Sequence, residues 1–150
     1  MSALFAYLHH LAAFALVASL VVEFVLVKDG ITCGNARIVQ KADIAFGIAA
    51  GIILIVGALR VMYFEKGLAY YTHNIAFHAK LGTFLIVGLL SIVPTFEFLK
   101  WRKQTLVGAA PDISPKKLKT VRVLIHLELL GVAIIILCAA LMARGIGELH

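Results

Sequence analysis

Long apolar runs alternate with short polar stretches along the chain, and the alternation occurs four times. The apolar runs cover about residues 4–27, 44–62, 75–99 and 123–143. Because the hydrocarbon core of a bilayer is about 30 Å thick and is crossed by ~20 helical residues, each run is long enough to span it. The pattern therefore predicts an all-α integral membrane protein, with one domain of four transmembrane helices in an up-down bundle.

The composition agrees with this interpretation. Hydrophobic residues make up 62% of the 150 residues and charged residues only 15%, which is more apolar surface than a soluble domain of this length buries. The net charge of +6 does not indicate nucleic-acid binding, since the basic residues lie between apolar runs rather than in a patch on a polar surface. We expect the lipid bilayer as the main partner, no nucleic acid, and a homo-oligomer as an open alternative.

The basic residues predict the orientation of the chain in the membrane. Ten Lys and Arg residues lie in or beside the first and third connections, and four lie on the other side. Since cytoplasmic connections are enriched in Lys and Arg, both termini are expected on the extracytoplasmic side. The first run lacks a basic n-region and a small-residue cleavage site, so we expect a retained helix rather than a signal peptide. Aromatic residues are expected at the two membrane surfaces: Tyr63, Phe64, Tyr70 and Tyr71 outside and Trp101 inside.

Short local signals predict helix starts and helix contacts. Thr32 is expected to cap a helix that enters through residues 37–43, and Ser114 is an N-cap residue followed by a proline at the first helical position. Gly47 and Gly51 lie four residues apart on the second predicted helix, with Gly57 and Ala58 further along. Small residues with this spacing predict a close contact with another helix.

Ionisable side chains occur within the apolar runs at two depths. Because polar groups in a membrane are costly and usually face the protein interior, they are the candidate functional residues. The outer depth holds His9, His10, Arg60, His78 and Lys80, and the inner depth holds Glu23, Asp43, Glu97, His126 and Glu128. Three inner carboxylates near helix ends are expected to reach water or to pair with Lys41, Lys100 and Arg122: Glu23, Asp43 and Glu97. Glu128 lies deeper, where it must be paired, share a proton or be neutral.

Two of the outer histidines predict a haem site. His9 and His78 lie at similar depth on helices that enter from the same side, and diagonal helices in a bundle are roughly 12 to 14 Å apart. A haem b with two axial imidazoles fits this gap, so both histidines are candidate iron ligands. His10 is the weaker candidate, because Glu23 follows His9 by 14 residues and shares its face of the helix.

Three further residues at the outer depth are candidate partners of the haem propionates. Arg60 and Lys80 could neutralise the propionates, and Tyr63 could donate a hydrogen bond to one of them. The alternative is that the histidines are only interfacial polar residues.

Several stretches of the sequence carry a resemblance to known families. Residues 8–10, 77–81, 89–91 and 142–147 resemble an uncharacterised family of small four-helix bacterial membrane proteins. More distantly, Leu8-His9 and residues 78–81 are similar to motifs of the HemJ-type protoporphyrinogen IX oxidases, and Glu128 aligns with a glutamate of their last helix. The resemblance implies a haem b enzyme of the bacterial cytoplasmic membrane that oxidises a porphyrin substrate and passes electrons to quinone. Its candidate catalytic residues are Glu128 and Lys80.

Three functions follow from these patterns. The leading hypothesis is a haem b-binding membrane oxidoreductase similar to the HemJ-type enzymes, and a nearer variant is an electron-transfer cytochrome b. The alternative from another class is a non-enzymatic protein, either a scaffold or a proton- or metal-handling carrier. The carrier would use Glu23, Glu97, Glu128 and His126. His126 and Glu128 project about 200° apart on a helix, which argues against a single ion shared by both.

Overall fold

The computed structural model of the protein describes residues 2–28, 30–64 and 73–146. These residues form four long helices, α1 (Ser2–Lys28), α2 (Cys33–Leu59), α3 (Ile75–Leu106) and α4 (Pro115–Ala143). A π-helical turn (Arg60–Phe64) follows α2 directly. All four helices are long and apolar enough to cross a membrane, which confirms the prediction of an all-α, multi-pass membrane protein.

Two of the helices begin at the predicted caps. The hydroxyl of Thr32 accepts a hydrogen bond from the Asn35 amide at 3.1 Å, and α2 therefore starts well before its apolar run. The hydroxyl of Ser114 accepts a hydrogen bond from the Lys117 amide at 3.4 Å, with Pro115 at the first helical position. Polar first turns thus extend both helices beyond the apolar segments.

The four helices pack side by side as a bundle. In the described residues, α1 and α3 each contact both α2 and α4 but not one another, so α1 and α3 lie diagonally opposite. The end of α1 lies beside the start of α4, where the Arg122 guanidinium donates to the Val27 carbonyl at 2.9 Å. The start of α2 lies beside the end of α3, where Nε of Arg37 donates to the Thr105 carbonyl at 3.2 Å. These contacts are those expected of helices that alternate in direction.

A narrow apolar core runs along the inside of this arrangement. Each helix contributes at least one fully or almost fully buried side chain, including Leu20, Val39, Phe98 and Ile125. Large apolar side chains also cover the outside: Phe14, Ile48, Leu89 and Leu130. In a soluble protein such a surface would be a liability, whereas in lipid it is solvated by acyl chains.

The closest helix contact involves a glycine that the small-residue pattern did not single out. Gly131 of α4 is buried, and a Cβ atom built on it would overlap Cγ2 of Val87 in α3. Gly47 and Gly51 are exposed, and a Cβ on either would meet nothing within 4 Å among the described residues. The prediction of a close contact is therefore wrong for the single chain at these two glycines, because this face of α2 points away from the other helices. At Gly57, further along the same stripe, a Cβ would lie 3.4 Å from the His9 ring of α1, so the predicted close contact is present there.

Trp101 is inside the protein rather than at a membrane surface. It is 2% exposed, and its ring packs edge-on against Phe98 with centroids 4.9 Å apart. The ring therefore faces other helices and not the lipid headgroups, and α3 continues past this residue to Leu106. Of the expected outer aromatic residues, Tyr63 is exposed, while Tyr70 and Tyr71 lie outside the described residues.

Candidate functional site

Two groups of polar side chains lie between the helices, one toward each end. We call Glu23, Asp43 and Glu128 the carboxyl cluster. We call His9, Arg60 and Lys80 the basic cluster. Because α1 carries His9 and Glu23, 14 residues apart, a rise of about 1.5 Å per residue separates the two clusters by about 21 Å along this helix.

The carboxyl cluster has two of the most buried polar side chains in the protein. Glu23 is 2% exposed and Glu128 is 1% exposed. The Oε1 atom of each is buried and has no hydrogen-bond partner among the described residues. The expectation that Glu23 reaches water or a basic residue is therefore wrong, while its predicted inward direction is confirmed.

Asp43 completes the carboxyl cluster from α2. Its carboxylate accepts a hydrogen bond of 2.6 Å from the hydroxyl of Thr95 in α3, and the residue is 8% exposed. Asp43 interacts electrostatically with both Glu23 and Glu128. The expected pairing of Asp43 with Lys41 is not found among the described residues, because the carboxyl group of Asp43 points toward Thr95. All four helices thus contribute a polar group at this level.

The periodicity of the core explains why the two glutamates point inward. In α1, Glu23 follows the buried residues Leu16 and Leu20 at intervals that keep it on the same helical face. In α4, Glu128 lies between the buried residues Ile125 and Val132 at equivalent intervals. Each glutamate therefore occupies a position where the pattern calls for an apolar side chain.

The remaining inner residues are not part of the carboxyl cluster. Glu97 pairs with Lys100 at 3.3 Å and with Lys117 at 3.9 Å, which confirms the expected pairing with Lys100. His126 is exposed, its Nδ1 atom lies 2.9 Å from the Arg122 carbonyl, and its ring packs edge-on against Phe24. Of the four residues in the predicted carrier set, Glu23 and Glu128 therefore lie together in the carboxyl cluster. Glu97 and His126 lie outside it.

The carboxyl cluster is not arranged as a metal centre. In the part of the chain that the structure describes, no group of three or more His, Cys, Asp or Glu side chains could hold a metal ion. Its three acids come from α1, α2 and α4, within electrostatic range of one another. None of them forms an ion pair with a basic residue among those described. Three neighbouring carboxyl groups of this kind are able to bind and release protons.

The basic cluster surrounds the ring of His9. This half-buried ring packs on α2, with Cε1 3.4 Å from a Cβ built on Gly57. Its Nδ1 atom is buried and, although the Ile53 backbone is near, has no partner in hydrogen-bond geometry among the described residues. The charges of Lys80 and Arg60 both act on the ring.

Lys80 extends the basic cluster to α4. Its electrostatic neighbours are Arg60 and the buried thiol of Cys138. Among the described residues, neither Lys80 nor His9 has a carboxylate as an electrostatic neighbour. The buried Nδ1 atom of His9 is a candidate ligand for a metal, with the charges of Lys80 and Arg60 beside it.

Three other predicted haem residues lie on the outside of the helices. His10 is exposed, and its Nδ1 atom lies 2.6 Å from the Ala6 carbonyl of the same helix. His78 is exposed, with its ring 5.9 Å from that of Phe77, and Tyr63 is also exposed. The structure therefore brings together His9 and the two cations but not these three residues. An axial role for His78 would require its side chain to turn inward.

Comparison with known families identifies the chain at a coarse level. The family described as predicted membrane protein (DUF2214) matches residues 1–147, and the chain belongs to this family. No curated protein and no solved structure matches the chain significantly. The family agrees with the four apolar helices and assigns no activity to either cluster.

Proposed function

We propose that this member of the DUF2214 family takes up and releases protons inside the membrane through its carboxyl cluster, as a proton-handling carrier. The observation that carries the proposal is the burial of Glu23 and Glu128, each with an oxygen atom that has no hydrogen-bond partner among the described residues. Polar groups at such positions are costly in a membrane and usually mark ion or proton pathways.

Electrostatics explains why the ligand would be a proton. Two like unit charges about 4 Å apart repel by about 4 kcal/mol at an effective dielectric constant of about 20. Three adjacent carboxyls without a basic partner therefore cannot all be charged, so the cluster retains protons and exchanges them one at a time. The hydroxyl of Thr95, which donates to Asp43, provides a further polar group for proton transfer.

A flux measurement tests this proposal. The purified protein is reconstituted into vesicles that contain a pH-sensitive dye, and a potassium gradient with valinomycin sets the membrane potential. We expect proton flux above that of empty vesicles, and we expect Glu128→Gln to reduce it strongly. Glu97→Gln is the matched control, because Glu97 pairs with Lys100 outside the cluster.

Infrared spectroscopy gives a second readout that does not require transport. Protonated carboxylic acids have a C=O stretching band that carboxylates lack. We expect this band at neutral pH in the unaltered protein, and we expect it to decrease in Glu23→Gln and Glu128→Gln. If the vesicles showed no flux and the band were absent, the proposal would be overturned.

A second candidate function is haem b binding at the basic cluster, as in the predicted oxidoreductase. The observation that favours it is the buried, unpartnered Nδ1 atom of His9 between the charges of Arg60 and Lys80. These residues fit a haem with one axial imidazole and two cations near the propionates. His78 would be the second axial ligand only after its exposed side chain turned inward.

The HemJ-like oxidase, with a porphyrin substrate and quinone as electron acceptor, belongs to this second candidate. Bound haem would supply one-electron chemistry, while His9 would set its ligation and the cations its potential. Protein purified without added haem should then show a Soret band and, after dithionite reduction, sharp α and β bands. A preparation that stayed colourless during haem titration would remove this candidate.

A further inference from the structure

A cavity of about 290 Å³ lies between α2 and α3, next to the carboxyl cluster. Its lining along α2 extends from Arg37 to Ile44, which is about 10 Å of helix. Arg37 lies toward the start of α2, where its guanidinium donates to the Thr105 carbonyl near the end of α3. The carboxyl group of Asp43 lies toward the other end. The cavity thus leads from the ends of two helices to one member of the carboxyl cluster.

The lining of the cavity has two kinds of surface. Three basic side chains line it near the helix ends, all of them exposed: Arg37, Lys41 and Arg102. Ile44, Phe98 and Leu99 form an apolar wall. Asp43 also lines the cavity. Its carboxyl group accepts a hydrogen bond from Thr95 and forms no ion pair with the basic side chains among the described residues.

Neighbouring basic residues differ from the three that line the cavity. Lys100 and Lys117 both pair with Glu97, so a carboxylate already lies beside them. None of the cavity's three basic residues forms an ion pair among the described residues. A ligand that brings a negative charge would therefore meet three basic side chains at the cavity that no carboxylate pairs with among the described residues.

We propose that this cavity binds an amphipathic anion, with a phosphate or carboxylate head at Arg37, Lys41 and Arg102 and an apolar chain against Ile44, Phe98 and Leu99. The guanidinium group of Arg102 can donate paired hydrogen bonds to such a head, whereas Arg37, whose Nε and Nη2 atoms both donate to the Thr105 carbonyl, adds its positive charge. A small soluble anion would leave the apolar wall uncovered, and a zwitterionic lipid would bring an ammonium group toward three cations. This binding does not depend on proton uptake by the carboxyl cluster.

The only tryptophan of the chain is a built-in probe of this cavity. Trp101 packs against Phe98, which lines the cavity. Bromine on an acyl chain quenches tryptophan fluorescence at short range. The protein is reconstituted into vesicles of unbrominated phosphatidylcholine, and brominated phosphatidylglycerol, brominated phosphatidylcholine or bromostearate is added in separate series.

We expect the anionic probes to quench Trp101 at lower mole fraction than brominated phosphatidylcholine. Preference for phosphatidylglycerol assigns the cavity to a phospholipid, and preference for bromostearate assigns it to a free fatty acid. The double variant Lys41→Gln/Arg102→Gln should weaken the binding of the preferred probe by about tenfold, since each basic group near a membrane surface contributes appreciably to anion binding. Lys103→Gln/Lys119→Gln, which removes the same charge from residues that do not line the cavity, should retain the preference.

Two outcomes would overturn the proposal. One is equal quenching by the anionic and zwitterionic probes. The other is an anionic preference that persists in the Lys41→Gln/Arg102→Gln protein. Far-UV circular dichroism of both double variants checks that the helices are retained, and the proton flux of the carboxyl cluster is measured separately on the same preparations.

Discussion

The carboxyl cluster and the basic cluster share one property and differ in another. Each brings side chains of the same charge type together between the helices. The carboxyl cluster is deeply buried, with Glu23 and Glu128 almost without solvent contact, whereas His9 and Lys80 are only partly buried. An architecture selected for ion pairing would place acids beside bases, but here about 21 Å of helix separates them. The two clusters thus differ in the sign of their charge and in their burial, and the proposed ligands differ accordingly, protons for the carboxyl cluster and haem for the basic cluster.

The largest expected effect is an all-or-none difference in the labelling of introduced cysteines. It shows which side of the membrane each cluster is nearer to. Native thiols are first removed by Cys33→Ser and Cys138→Ala. Cysteine is then placed at Ala109, between α3 and α4, or at Ala143, at the end of α4. The distribution of Lys and Arg predicts that an impermeant maleimide labels position 143 in intact spheroplasts and position 109 only after the membrane is opened. The reverse pattern would place the carboxyl cluster nearer the extracytoplasmic surface.

The second effect separates the clusters by proton flux. The double variant Glu23→Gln/Glu128→Gln should lower the flux in vesicles by at least about 100-fold, because it removes two proton-accepting groups and keeps their shape. His9→Gln should leave the flux near that of the unaltered protein. A large loss in the His9 variant would show that both clusters lie on one proton pathway and would end the distinction between them.

The third effect concerns the basic cluster in place of the carboxyl cluster, and it applies if the basic cluster binds haem. His9→Ala should remove the low-spin haem spectrum or convert it to a high-spin form, because the imidazole would bond to iron directly. His10→Ala should do much less, since its side chain lies about 100° around the helix. Visible spectra of the reduced proteins measure both. If the low-spin haem spectrum depended on His10 and not on His9, the assignment of His9 as the iron ligand would be contradicted.

The fourth effect concerns the helix contact that lies between the clusters along α4. Gly131→Ala should destabilise the protein by about 1–3 kcal/mol, because the added methyl group would overlap Val87 of α3. Gly47→Ala is the matched control, since a Cβ there meets nothing within 4 Å among the described residues. Thermal unfolding in detergent compares the two variants. Equal melting temperatures would show that α3 moves aside at little cost.

The smallest expected effect tests the hydrogen bond within the carboxyl cluster. Thr95→Val keeps the shape of the side chain and removes its donor to Asp43. The loss should be about 1 kcal/mol of stability, with a smaller decrease in proton flux than for the double glutamate variant. Thr95→Ser, which retains a hydroxyl group, should remain close to the unaltered protein. A stronger effect of Thr95→Val on flux than of the glutamate changes would show that proton transfer depends on the Thr95–Asp43 pair and not on the glutamates.

The sequence pattern predicted some members of each site but did not separate members from neighbours. Its 14-residue spacing from His9 predicted the inward direction of Glu23, and the single depth level predicted that Lys80 and Arg60 lie near His9. Glu97 and Glu23 nevertheless looked alike as carboxylates near helix ends. Only the helical face distinguishes them, since Glu97 turns toward Lys100 and Glu23 toward the core.

The amino-acid sequence by itself determined the four helices and the caps of α2 and α4, because helix formation and membrane insertion depend on local apolar length and on the first turn of each helix. It also determined the number and type of ionisable groups within the spans. The tertiary structure decided which of these groups meet. Asp43 joins two glutamates from helices that are distant in sequence, His78 lies outside while His9 lies inside, and Gly131 rather than Gly47 makes the tight contact. These outcomes depend on the rotation of each helix about its axis, which packing against the other three helices sets and which no local pattern specifies.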